Sequence, residues 1–186
     1  MNKLDRIKGC LIGGAVGDAL GAAVEFMDWS DIKRQFGVGG IQDYAQAYGL
    51  QGAITDDTQM MLFTAEGLLR AQVRGASKGI CHVPSVIHHA LLRWYITQGG
   101  RPLANVAQNG WLIEQKALWS RRAPGSTCLS ALSASKTFGD IATNNSKGCG
   151  GVMRVAPHAF FPNAFEQAAD SAHLTHGHPT GYQSSG

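Results

Sequence analysis

Two adjacent carboxylates, Asp56 and Asp57, stand between Thr55 and Thr58 at the head of a long apolar run. The run continues with Met60, Met61, Leu62, Phe63, Ala65, Leu68 and Leu69, and positions 61, 62, 65, 68 and 69 fall on one helical face. The spacing predicts a mostly buried helix from about Thr55 to Arg74. At such a helix start, an Asp or Thr caps free backbone N–H groups, and a negative charge is favoured by the helix dipole. Capping needs only one such residue. Two neighbouring carboxylates repel each other unless a cation or water separates them. Mg²⁺ takes oxygen ligands, usually one or two carboxylates with hydroxyls, waters and substrate oxygens. A helix cap and a metal site are therefore both open readings of this stretch.

Residues 3 to 23 have helical character, with Gly13, Gly17 and Gly21 recurring every four positions on one face. Each glycine costs a helix roughly 1 kcal/mol against alanine. The expected return is close backbone approach to a neighbour or a ligand. It is not a dinucleotide loop, because no strand precedes it and the glycine order differs. Residues 24 to 54 read as a long irregular stretch with Glu25 and Asp28 at its start, and loops of that length are usually functional or mobile. Further helices are expected over 84–97, with Pro84 in the first turn, and over 103–120, 126–135 and 163–174. His88 and His89, without a carboxylate partner, read as surface or core residues. A second irregular stretch runs from Gly139 to Gly151. Thr180 to Gly186 reads as the start of a helix rather than the end of a domain. No run alternates as a strand does, so the chain reads all-α, with about six helices.

Composition narrows the function classes. The 186 residues suit one domain, and 44% hydrophobic residues can bury a core. Net charge is only +3, and the basic residues are scattered with no aromatic platform, so no nucleic-acid partner is indicated. No run approaches the ~20 apolar residues of a membrane span. Cys10, Cys81, Cys128 and Cys149 form no CxxC pair and fit neither a zinc site nor a disulfide framework. Reduced cysteines and a cytoplasmic location are the expectation.

Two more stretches carry chemistry. Ser146-Lys-Gly-Cys-Gly-Gly-Val-Met-Arg154 places three glycines before a short apolar segment. Such a loop can turn N–H groups toward a phosphate, with Lys147 or Arg154 adding charge, or it can be an ordinary glycine turn. It is not a P-loop, since no Lys-Ser/Thr follows the glycines. Thr175-His-Gly-His-Pro179 puts two histidines at a helix end. One can bond a ligand hydroxyl, or the motif can cap the preceding helix.

These residues carry a resemblance. Gly13-Gly-Ala-Val-Gly-Asp-Ala-Leu-Gly-Ala-Ala-Val-Glu-Phe26 is similar to the opening signature of the ADP-ribosylglycohydrolase family. Thr55-Asp-Asp-Thr-Gln-Met60 resembles its first metal motif, Gly148-Cys-Gly-Gly-Val-Met-Arg-Val-Ala-Pro157 its glycine loop, and Thr175-His-Gly-His-Pro179 its histidine motif. The resemblance implies a compact orthogonal helical bundle around a two-Mg²⁺ site. It implies Thr55, Asp56, Asp57 and the flap residue Glu25 as metal-site residues, with Asp56, Asp57 or Glu25 as the catalytic base. It implies that Lys147, Gly148, Cys149, Gly150, Gly151 and Met153 cradle ADP-ribose, and that His176 or His178 contacts its sugar. The implied activity is Mg²⁺-assisted hydrolysis of the ribosyl glycosidic bond in ADP-ribosylated proteins or small molecules. The family's second acidic motif, Asp-x-Asp-Thr, is absent. Residues 1–186 are thus expected to be an incomplete domain, truncated at the C-terminus, with a complementary C-terminal fragment as a partner. The alternative is an inactive remnant, or a module that binds ADP-ribose or a partner without catalysis. Asp56 and Asp57 are expected near Asp18 and Glu25, with the glycine loop beside them. Little hydrolysis and weak Mg²⁺ binding are expected of this chain alone.

Overall fold

The computed structural model describes residues 2–186. Among them are seven α-helices and one two-stranded hairpin, so the all-α expectation is met. The centre is α3 (Asp56–Lys78) lying along α4 (Val83–Thr97). Gly67 makes that pairing close: a Cβ there would stand 2.9 Å from the Ile87 Cα. This approach fixes which face of α3 is buried. Met60, Phe63, Thr64, Gly67 and Ala71 point inward with Met61 and Leu68, whereas Leu69 is 61% exposed. The face read from sequence, which included Leu69, is therefore rotated.

α4 is buried nearly all round, through Ile87, Leu91, Leu92 and Trp94. Each such side chain contributes about 1.5–3 kcal/mol when fully removed from water. Cys128 and Leu132 of α5 (Ser126–Ala134) and Leu174 after α6 (Ala164–His173) complete the core. The polar core residue Gln59 is satisfied: its Oε1 accepts from Trp94 Nε1 at 3.1 Å and its Nε2 donates to the Ser120 carbonyl at 3.0 Å.

α1 (Lys3–Gly21) opens with a capping box between Asn2 and Asp5. Among the described residues its glycine face meets no neighbour. A Cβ at Gly13, Gly17 or Gly21 would meet nothing within 4 Å, and the close contact is at Gly14, 3.1 Å from the Met61 sulfur. The stretch 24–54 holds an unanticipated helix, α2 (Trp29–Phe36), and a hairpin of β1 (Gln46–Ala47) and β2 (Leu50–Gln51). The expected helix over 103–120 is absent except for a 3-10 turn at Lys116–Trp119. Gly110 at φ +123 breaks it, and Asn109 is drawn out to bond Arg70. Two 3-10 turns, Val152–Arg154 and Ala156–Phe160, follow the glycine loop, and α7 (Pro179–Gln183) ends the described chain. No helix is long and apolar enough to cross a membrane among the described residues.

Candidate active site

The start of α3 is capped twice. Thr55 is the N-cap residue, and its hydroxyl accepts from the Asp57 N–H at 3.3 Å. Asp18, from the last turn of α1, does most of the work. It accepts from the Thr55 N–H (2.8 Å) and hydroxyl (2.6 Å), and from the Thr58 N–H (3.1 Å) and hydroxyl (2.5 Å). Because Asp18 and Thr55 satisfy the helix start, Asp56 and Asp57 are not needed as caps. Asp56 instead accepts the Gly125 N–H at 3.2 Å, and its own N–H donates to the Arg122 carbonyl.

The acids feel one another. Burial pushes the Asp56 carboxyl up to about 7, and the charges of Asp57 and Glu25 add to this against the favourable Gly125 bond. Burial and then Asp18 raise Asp57, while burial, Asp57 and Asp18 raise Glu25. Four carboxylates from two segments therefore share one field. Tyr48, at the hairpin tip, belongs to it as well. Burial raises its phenol, followed by Glu25, Asp56 and Asp18. Tyr48 (φ 50) and Gly49 (φ 77) are both left-handed, as a two-residue hairpin turn of this twist requires. A bulky residue is uncommon there.

The first turn of α5 links these acids to the glycine loop. Gly125, on Asp56, precedes Thr127, whose hydroxyl is 3.3 Å from that of Ser146, and Cys128, whose Sγ lies 3.9 Å from the Gly150 carbonyl. A Cβ on Gly150 would stand 2.8 Å from Cys128 Sγ and 2.9 Å from His176 Cε1. Close packing therefore demands glycine here. The Gly148 N–H is committed to Ser146 Oγ at 3.2 Å, contrary to the expectation for the whole loop. Among the described residues, the N–H groups of Cys149, Gly150 and Gly151 remain uncommitted.

Arg154 lies beneath this loop and is fully buried. It donates to the Gly150 carbonyl (2.7 Å), the Ser171 carbonyl (2.9 Å) and the Thr175 hydroxyl (2.9 Å), and among the described residues it has no carboxylate partner. Thr175 in turn bonds His176 Nδ1 at 2.9 Å. The glycine loop and the histidine motif thus hang on one guanidinium.

A family model described as ADP-ribosylglycohydrolase matches residues 1–186. The chain belongs to the ADP-ribosylglycohydrolase family. It is 30% identical over 187 residues to an ADP-ribosyl-[dinitrogen reductase] glycohydrolase of Rhodospirillum rubrum, covering 94% of this chain and 52% of that protein. An uncharacterized protein of Archaeoglobus fulgidus is 28% identical over 181 residues, with 92% and 50% covered. The chain spans about half the length of these curated relatives. No solved structure gives a significant match.

Thr55, Asp56, Asp57 and Glu25 come together, joined by Asp18. Glu25 is exposed, while Thr55 and Asp56 are buried. Lys147 and Cys149 are exposed on the loop, but Met153 packs against the hydrophobic core rather than facing a cavity. His176 is buried. His178 caps α7 rather than the preceding helix, its Nδ1 accepting from the Thr180 N–H at 3.0 Å. Asn144 escaped notice in the sequence. Its side chain donates to the Thr175 carbonyl at 2.8 Å and accepts from the N–H groups of Ser146 (3.0 Å) and Gly177 (3.1 Å). It clamps the loop to the histidine motif.

Buried titratable groups set a pH dependence of stability. Burial, the largest cause in each case, holds His88, His158 and His176 down to about 4. They stay neutral in the fold where an unfolded chain would protonate them, so their stabilisation is full above about pH 6.5 and is lost as pH falls toward 4. Asp56 acts oppositely. Its carboxyl is raised, so its contribution is present at low pH and lost as pH rises through about 7. Near pH 5.5, unfolding takes up about three protons at His88, His158 and His176 and releases about one from Asp56; His89, also lowered by burial, adds to the uptake, and the raised Glu25 and Asp57 reduce it. A net uptake of one to two protons costs roughly 1–3 kcal/mol of stability per pH unit. Urea unfolding between pH 7 and 5 measures this. Stability that rises on acidification would mean the carboxylates outweigh the histidines.

Proposed function

We propose that this chain carries the acidic cluster and ADP-ribose loop of a Mg²⁺-assisted hydrolase acting on ribosyl glycosidic bonds. The observation that carries this reading is the carboxylate cluster itself. Asp18, Glu25, Asp56 and Asp57 crowd together, and Asp56 is pushed up to about 7 by burial, with the charges of Asp57 and Glu25 adding to it. The Thr55 hydroxyl with the Asp56, Asp57 and Glu25 carboxylates is an all-oxygen donor set, which fits a hard divalent cation. When bound, Mg²⁺ supplies charge that holds ribose oxygens and makes water more acidic. This chain's own residues do the rest. The uncommitted N–H groups of Cys149, Gly150 and Gly151 are the donors the loop offers a pyrophosphate. Glu25, the exposed carboxylate, takes a proton from the attacking water as its oxygen bonds the anomeric carbon. The bond to the acceptor nitrogen or oxygen breaks, and that atom leaves with the proton that Glu25 took from the water.

The second reading is a module that binds ADP-ribose or a protein partner without turnover. Two observations favour it. Asp18 is consumed by its four hydrogen bonds, and among the described residues no three His, Cys, Asp or Glu side chains form a ready metal cage.

Calorimetry in two buffers of different ionisation enthalpy tests the site. Near pH 6 the Asp56 carboxyl is mostly protonated, so Mg²⁺ binding is expected to release close to one proton, and none in Asp56→Asn. Binding without proton release would place the ion elsewhere. Assays for ADP-ribose released from modified arginine and serine, with excess Mg²⁺, separate the two functions. ADP-ribose binding with no turnover selects the second.

A further inference from the structure

Glu66, Arg70, Arg74 and Lys78 recur every four residues on α3 and form one stripe. The stripe faces the first half of α4 across a cavity of about 730 Å³. On the far wall lies Arg93, which is only 1% exposed. Its ion pair is with Glu66 at 3.4 Å, but Glu66 already holds Arg70 at 2.9 Å. One carboxylate therefore serves two guanidiniums, one of them out of water. The Nε of Arg93 has no hydrogen-bond partner. A buried cation is costly unless well paired, and an unpartnered buried donor calls for a missing ion or ligand.

The rim adds to the imbalance. Arg74 and Lys78 are exposed, lie four residues apart, and repel each other. The α3 C-terminus accounts for a cation at Lys78, but not for one buried at Arg93. Glu66 is the one carboxylate in a lining with four Arg and Lys side chains. The walls are not all polar: His89 stacks on Phe138 with centroids 4.5 Å apart, and Val73 is 68% exposed beside them.

We propose that this cavity binds a phosphorylated small molecule. Its phosphate meets Arg70, Arg74 and Lys78, and a planar apolar body lies against Val73 and Phe138. Arg70 is half-exposed and also donates to Asn109 Oδ1 (3.3 Å) and the Asn109 carbonyl (3.1 Å); it gives up these bonds as it turns to the phosphate, leaving Glu66 to Arg93 alone. The shared pair is thereby resolved. The site is distinct from the acidic cluster, because α3 rises about 1.5 Å per residue and Glu66 lies ten residues beyond Asp56.

Phenyl phosphate titrated into the full chain, followed by NMR of the arginine Nε–H signals and the His89 ring, tests this. Saturable shifts at Arg70, Arg93 and His89 are expected, with phenol giving none. Affinity falls about tenfold or more when Arg74→Glu is combined with Lys78→Glu, both exposed positions that leave the fold intact. It is unchanged by Lys147→Glu on the glycine loop. Binding that follows Lys147→Glu instead, or that leaves Arg93 unperturbed, overturns the proposal. Inorganic phosphate binding as tightly as phenyl phosphate would mean an adventitious ion only.

Discussion

Asp18→Ala is expected to cost the chain about 3–5 kcal/mol of unfolding free energy and to scatter the acidic cluster. The carboxylate accepts two backbone N–H groups and two hydroxyls at the start of α3. Bonds to a charged group contribute about 1.5–3 kcal/mol each, though they do not simply add. Thr55 is 2% exposed and Thr58 3%, so water does not readily replace the lost acceptor. Asp18→Asn separates shape from charge. Its one oxygen still accepts, but its amide opposes donors already present, so a loss of about half the alanine value is expected. Denaturant unfolding of the three proteins measures both. With Asp18 gone, Thr55 loses the bond that aims its hydroxyl at Asp57, and the proton release on Mg²⁺ binding should disappear. A stability change below about 1 kcal/mol for the alanine variant would show that packing alone holds this helix start.

Asp18 also shows where the sequence stopped being legible. The chemistry of Asp56 and Asp57 is visible in their adjacency, and the four motifs point to their family. That Asp18 relieves them of capping is not visible, because its partners lie 37 and 40 residues away. Local pattern placed α3 and α4, whose apolar residues and Pro84 agree with the final packing. It failed at 103–120, where Trp111, Leu112 and Leu118 suggested a helix that Gly110 does not allow. It also gave no sign of which glycine sets the helix packing. Gly13 and Gly17 open onto empty space, whereas Gly67, unremarkable in sequence, sets the α3–α4 approach. Tyr48 and Asn144 carry no local signature. One reaches the acids through a hairpin too short to read, and the other bonds groups on two separate segments.

Arg154 offers the sharper test of how the glycine loop is held, because two substitutions should rank against intuition. Burying its guanidinium costs several kcal/mol, and no carboxylate offsets that cost. Arg154→Met removes the charge in a side chain of similar reach, but it strips donors from the Gly150 carbonyl, the Ser171 carbonyl and Thr175. The two effects largely oppose each other, so a net loss of about 2 kcal/mol is expected. Arg154→Lys keeps the buried charge and gathers its donors on one nitrogen. The planar fork that spans three separate acceptors is gone. A loss of about 4 kcal/mol is expected, worse than for methionine. Both variants free the Gly150 carbonyl to turn outward, so ADP-ribose affinity should fall at least about tenfold in each. His176 reports the charge separately. Burial and then Arg154 hold its imidazole down to about 4. Its titration midpoint, followed by NMR, should move up in the methionine variant and stay low in the lysine variant. If lysine proves the milder change, the positive charge and not the fork is what secures the loop.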